Sequence, residues 1–200
     1  MPRVELLDLH ESDDPALREF APKVSRPDGA VGSHFAAEAH FPAVLTHTYE
    51  ARLAIARDGD LGNRLFVKLA VAVSMANDCV YCTGAYSTHL SRQLGSDGAA
   101  REYHESLRDG DLADDERDVV GFALDVLDDP GALSDGDFDR LRESHGFTDR
   151  TFVELVYVVN IVSGYNRLTM AVDLDYDHGF PEEWAEEAAA WTPRASGIDD

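Results

Sequence analysis

The chain has 200 residues and a hydrophobic fraction of 44%, enough for one domain with a real core and too apolar for wholesale disorder. Its 39 acidic residues against 17 basic ones give a net charge of −22. That balance repels nucleic acid and anionic membranes, which are held by Lys/Arg clusters absent from this sequence.

Such self-repulsion is best tolerated in concentrated salt, where the Debye length falls to about 3 Å at 1 M. A high-salt cytoplasm is therefore the expected setting. No stretch reaches the roughly 18 uncharged apolar residues of a membrane helix. The opening Met-Pro-Arg-Val-Glu shows no apolar signal region.

Residues 1–32 are polar and carry Pro2, Pro15, Pro22 and Pro27. They read as a loosely held arm with a short helix around Pro15 to Phe20. From Ser33 a helical pattern begins with His34, Phe35 and Ala37 and continues through Phe41, Val44, Leu45, Tyr49 and Leu53. Pro42 should kink or restart it, and Asp58-Gly59-Asp60 ends it. A second helix runs from about Gly62 to Ala76. Asn77 and Asp78 then favour an N-cap, predicting a helix from about Cys79 to Leu94 with a left-handed stop at Gly95.

Ser96-Asp97-Gly98 opens the next helix, to about Leu107. Asp114-Asp115-Glu116 caps another, reaching Leu127 and stopped by Asp129-Pro130-Gly131. Ser134 and Asp137 resemble a capping box, starting a helix to Glu143. The longest element begins near Thr148 and carries Phe152, Leu155, Val156, Val159, Val162 and Leu168 towards Val172. A last amphipathic segment spans Pro181 to Trp191, and 192–200 should be a mobile tail. Phe66-Val67-Lys68-Leu69 is echoed by Phe152-Val153-Glu154-Leu155, but the second copy lacks cysteines. Helix follows helix without two-residue alternation, so the expected fold is all-α: one helical bundle over 33–191, with about seven to nine helices.

Both cysteines, Cys79 and Cys82, lie in one C-x-x-C at the start of a helix. In an intracellular chain that spacing points to redox or metal chemistry rather than a structural disulfide. Positions 79, 82, 86 and 89 share a helix face, so Cys79, Cys82, Tyr86 and His89 form one stripe. A core seam would look the same. Zinc needs four ligands and the stripe offers three at most, so no metal is expected.

The thiolate is the reactive species, and the helix start favours it. Asp78 should hold the neighbouring Cys79 thiol protonated, leaving Cys82 as the sulfur to activate. Tyr86, one turn beyond Cys82, suits a hydrogen-bond donor. The base is either His89 through a relay or a group from another helix such as His40, His47 or Glu50. His10, His34, His104, His145 and His178 read as surface residues.

The segment Lys68-Leu69-Ala70-Val71-Ala72-Val73-Ser74-Met75-Ala76-Asn77-Asp78-Cys79-Val80-Tyr81-Cys82 resembles the signature of the carboxymuconolactone decarboxylase and alkylhydroperoxidase D (AhpD-like) superfamily. Asp137 to Arg142, Phe147 to Asn160 and Tyr165-Asn166-Arg167-Leu168 resemble its later helices, so the likeness spans most of 34–175. The C-x-x-C points to the peroxidase-related branch.

The resemblance implies an all-helical subunit assembling into homotrimers or homohexamers. The implied activity is thiol-dependent reduction of a small-molecule organic hydroperoxide without a bound cofactor. Cys82 would attack, Cys79 would resolve as a Cys79–Cys82 disulfide, and a thiol protein or low-molecular-weight thiol would reduce it. The family's histidine and glutamate fall here at Tyr86 and Val67. Either His89 and a residue such as Glu50 replace them, or the thiol pair serves as a disulfide reductase or switch. A redox-responsive oligomer without catalysis and a carboxymuconolactone decarboxylase-like enzyme are the alternatives.

Overall fold

The computed structural model describes residues 1–191; the tail expected over 192–200 lies outside the described residues. Ten helices run in order among them: α1 (Pro15–Val24), α2 (Ser33–Glu38), α3 (Pro42–Asp58), α4 (Gly62–Ala76), α5 (Val80–Leu94), α6 (Asp97–Asp109), α7 (Asp114–Asp128), α8 (Asp135–His145), α9 (Asp149–Ala171) and α10 (Glu182–Ala189). No strand occurs among the described residues beyond one isolated bridge, Ser25 to Val31. The all-α expectation holds. The count is above the expected range because Pro42 restarts the chain as a new helix instead of kinking one.

α4 is the axis of the bundle. Its run from Phe66 to Met75 is apolar on nearly every side and is buried nearly all round, apart from Lys68. It packs on α5 and α9, with α3 and α7 completing the shell. The N-terminus of α4 has no side-chain cap of its own. The buried Glu154 of α9 supplies one, accepting from the backbone N–H of Asp60 (2.7 Å) and Leu61 (3.2 Å).

The first 32 residues are not a loose arm. Leu9, Leu17, Phe20 and Ala21 are buried against Phe35, Leu45 and Tyr49 in a second apolar cluster. Their few large apolar residues are spread among acidic ones, which hid the pattern. This cluster joins the main core where α3 packs on α4 and α9 and α2 packs on α9.

A strap of residues 172–181 returns across α5 after α9. The Tyr176 hydroxyl donates to the Phe180 carbonyl (2.6 Å), and the Phe180 N–H donates to Thr88 Oγ1 (3.1 Å). Tyr176 rests on Gly84, where an added Cβ would overlap its ring and hydroxyl. The glycine is required by that close approach.

Candidate functional site

Cys79 is itself the N-cap of α5, and Asn77 and Asp78 are not. Asn77 closes α4, and Asp78 sits at φ 54 in the left-handed region. The turn is locked by a polar chain to α9. Asn77 Nδ2 donates to Asn166 Oδ1 (2.8 Å) and Ser163 Oγ (3.3 Å), and Asn166 Nδ2 donates to Ser74 Oγ (3.0 Å). The half-buried Asn77 amide and the buried Asn166 amide thus fix where α5 begins, and with it the position of the first sulfur.

Both thiols are free and buried. Thr169 Oγ1 lies 3.3 Å from Cys79 Sγ and 3.3 Å from Cys82 Sγ, and its hydroxyl also reaches the Asn166 carbonyl at 3.1 Å. The Cys82 N–H donates to Cys79 Sγ at 3.4 Å, as an N-cap acceptor requires. The two sulfurs therefore converge on one hydroxyl.

Hydrogen bonding from the Cys82 thiol, with Thr169 and the Cys82 N–H adding to it against the cost of burial, holds the Cys79 thiol down to about 7. That same hydrogen bond, with burial and the adjacent charge, pushes Cys82 well above the ordinary thiol value. Asp78 adjoins Cys79 in the chain and is expected to keep its thiol protonated. The structure reverses this, since Asp78 is exposed while the cap donors face the sulfur.

Cys82 lines a cavity of about 690 Å³; Cys79 lies behind it, away from the lining. Tyr86 also lines the cavity, and burial pushes its phenol far up, so it stays protonated at working pH. It makes no hydrogen bond to either sulfur among the described residues. His89 lines the cavity from an exposed position and likewise bonds to neither sulfur. Partial desolvation, with the Arg52 and Arg92 charges close by, lowers its imidazole below the ordinary value.

The candidate bases from other helices lie elsewhere. The His40 ring bonds the Glu5 carbonyl, the His47 ring bonds the Ala43 carbonyl, and Glu50 is exposed; none of them lines the cavity. His34 and His178, expected at the surface, line it instead, and His104 is buried on Ser87 Oγ at 2.8 Å. His145 is half-buried and meets Asp118 at 3.1 Å, whereas His10 is exposed as expected. Burial brings His34 down to about 3 and His178 to about 4.

The Tyr81 hydroxyl meets His34 Nδ1 at 3.4 Å, and its ring meets His178 edge-on at 4.3 Å. Asp177 of the strap accepts from Arg26 (2.9 Å) and from Ser33 N–H and Oγ (3.0 and 2.9 Å), closing this wall. Tyr81, adjacent to Cys82, is the one of these that a sequence reading could have flagged. Among the described residues no three His, Cys, Asp or Glu side chains are arranged to hold a metal.

No family model matches the sequence, and no curated protein does either. Solved structures do. An uncharacterized peroxidase-related protein with an alkylhydroperoxidase AhpD core from Ralstonia eutropha JMP134 superposes with TM-score 0.77 at 23% identity, over 96% of this chain and 98% of that one. An uncharacterized peroxidase-related protein from Silicibacter sp. TM1040 gives 0.76 at 20%, over 90% and 93%. The debrominase Bmp8, solved also with 2,3,4-tribromopyrrole, gives 0.72 at 19% for its apo form, over 92% and 97%. The chain has the AhpD-like fold.

Proposed function

We propose that the chain is a thiol-dependent reductase of organic hydroperoxides, with Cys82 attacking and Cys79 resolving. The observation that carries this reading is the convergence of two free thiols on Thr169, with Cys82 on a cavity wall and Cys79 directly behind it.

Cys79 is then the proton acceptor that neither Tyr86 nor His89 provides. Its thiolate takes the Cys82 proton as Cys82 attacks the distal peroxide oxygen. The O–O bond breaks, and the alkoxide leaves with that proton as the alcohol. Cys82 is now a sulfenic acid. The Cys79 thiolate attacks it, hydroxide departs, and a disulfide remains, for an external thiol to reduce with two electrons. Tyr86 is cast as a neutral phenol on the cavity wall, available to a substrate oxygen.

A second reading has its own observation: Tyr49, Tyr81, Tyr86, Tyr165 and Phe35 line the cavity, a surface suited to a flat ring. The same pair could then remove a halogen from an aromatic, as the debrominase name of one structural neighbour suggests. Cys82 would take the halogen as a sulfenyl halide, the ring carbon would take a proton, and Cys79 would expel halide as the disulfide forms.

Peroxide consumption by wild type and Cys82→Ser, followed by stopped flow at molar salt, tests the first reading. Equal consumption of cumene hydroperoxide by both proteins removes it, and halide release from a brominated phenol by wild type alone would favour the second. The assembly is proposed to be a homotrimer or homohexamer, burying exposed apolar residues such as Phe41, Val44, Val153 and Tyr157 between copies.

A further inference from the structure

The cavity beside Cys82 has a charge opposite to that of the molecule. Over the whole chain acids outnumber bases 39 to 17. On the cavity lining the balance inverts: Lys23, Arg26, Arg52 and Arg92 face a single carboxylate, Asp177. Asp177 is already committed to Arg26 and to Ser33. Arg52 and Arg92 form no ion pair among the described residues; the Arg52 guanidinium lies 5.2 Å from the centre of the Tyr49 ring. What sets these two apart is their place: both guanidinium groups belong to the lining of the cavity that Cys82 also lines.

The other groups on the lining are neutral. His34 and His178 are held far below the ordinary imidazole value by burial, and the nearby Arg52 lowers His34 and the exposed His89 as well. The Tyr81, Tyr86 and Tyr165 phenols are all raised by burial. Glu38, near Arg52 but away from the lining, is raised to about 7 by burial and leaves Oε2 without a partner. The charged side chains on the lining are therefore Lys23 and the three arginines against Asp177, with Cys79 set back behind Cys82. The cavity's volume falls within the range of small-molecule sites, about 300–1,000 Å³.

We infer that the cavity binds a flat organic anion, an aromatic or conjugated carboxylate, with Arg52 and Arg92 on the carboxylate and the tyrosine rings against the flat face. Arginine forks match a carboxylate with two parallel hydrogen bonds, and tyrosine supplies apolar area at little entropy cost. The inference rests on the reading of this cavity as the thiol pair's substrate site, and it names the substrate class: the reducible bond belongs to a ring-bearing acid.

Calorimetry on the reduced full chain and on Cys82→Ser tests it, with naphthoate, naphthalenemethanol and inorganic phosphate as probes at one fixed salt concentration. Naphthoate is expected to bind at least roughly tenfold more tightly than either other probe, about the worth of one charge-assisted contact. Arg52→Gln, and independently Arg92→Gln at the exposed mouth, should remove that advantage while leaving naphthalenemethanol binding unchanged. Equal binding of naphthoate and its neutral counterpart overturns the anion site, and so do variants that bind naphthoate as wild type does. Phosphate binding that matches naphthoate overturns the flat-ring half. Cys82→Ser cannot turn over, so naphthoate binding there without peroxide reduction by wild type would remove the redox reading alone. Turnover of a neutral hydroperoxide with no preference among the probes would remove the ligand inference alone.

Discussion

Thr169 has one hydroxyl proton and three acceptors within reach: the Asn166 carbonyl and the two sulfurs. When the pair is neutral the proton can stay on the carbonyl; when Cys79 ionises, turning it to the sulfur stabilises the charge. Thr169→Val removes that choice. A hydrogen bond to a charged group is worth about 1.5–3 kcal/mol, so the first thiol should titrate about one to two units higher, read from ultraviolet thiolate absorbance. An unchanged midpoint would show that Thr169 only fills space. In wild type, Cys79 is held below the ordinary thiol value, so its thiolate accumulates as pH rises through about 7. Peroxide consumption should therefore rise through the same window and fail below it; a rate that is flat from acid to neutral pH contradicts the assignment. His89→Ala should cost far less than the 10²–10⁴-fold that loss of a general acid–base group typically costs, because Cys79 takes the proton. At this scale the sequence showed the thiols and their stripe with Tyr86 and His89. It hid the lowering of the Cys79 thiol, since Asp78 adjoins it in the chain but faces solvent.

The helices themselves were largely legible, because their ends carry local chemistry. Pro42 opens α3, Gly95 at φ 94 closes α5, and Ser134 with Asp137 forms the capping box of α8. What packs against them was not. The start of α5 depends on Asn77 reaching Asn166 on α9, and the start of α4 on Glu154, also on α9; no local pattern encodes either. Arg52, Tyr81, Asp177 and His178 come from three separate parts of the chain, and only the strap brings the last two to the mouth. Glu154→Ala would leave the Asp60 and Leu61 N–H groups without a partner in a half-buried position. It should cost about 1–3 kcal/mol, measured by urea unfolding. Gly84→Ala should displace Tyr176, and the strap with it, at a cost of about 1–3 kcal/mol. A wild-type melting temperature in that variant would show that the strap yields freely and does not hold the cavity wall.

The whole molecule pairs an acidic exterior with a cationic cavity. Repulsion among surface carboxylates should weaken the fold in dilute buffer, so its melting temperature is expected to climb as potassium chloride rises towards the molar range; a fall over that range contradicts the salt-adapted reading. No helix of the described residues is long and apolar enough to cross a membrane. Tyr157 on α9 is 56% exposed and Phe41 at the head of α3 is 63% exposed. Tyr157→Glu should therefore shift the mass seen by light scattering from an oligomer towards the monomer. The most direct test of the redox pair is a mass measurement on the intact chain. Reduced protein is mixed with one equivalent of cumene hydroperoxide and quenched with an alkylating agent. The thiol-pair account predicts that the chain loses two hydrogens and escapes alkylation at both Cys79 and Cys82, while Cys79→Ser, deprived of the proton acceptor as well as the resolving thiol, oxidises far more slowly and goes no further than a sulfenic acid on Cys82. A chain that keeps both thiols alkylatable while the peroxide persists would contradict it.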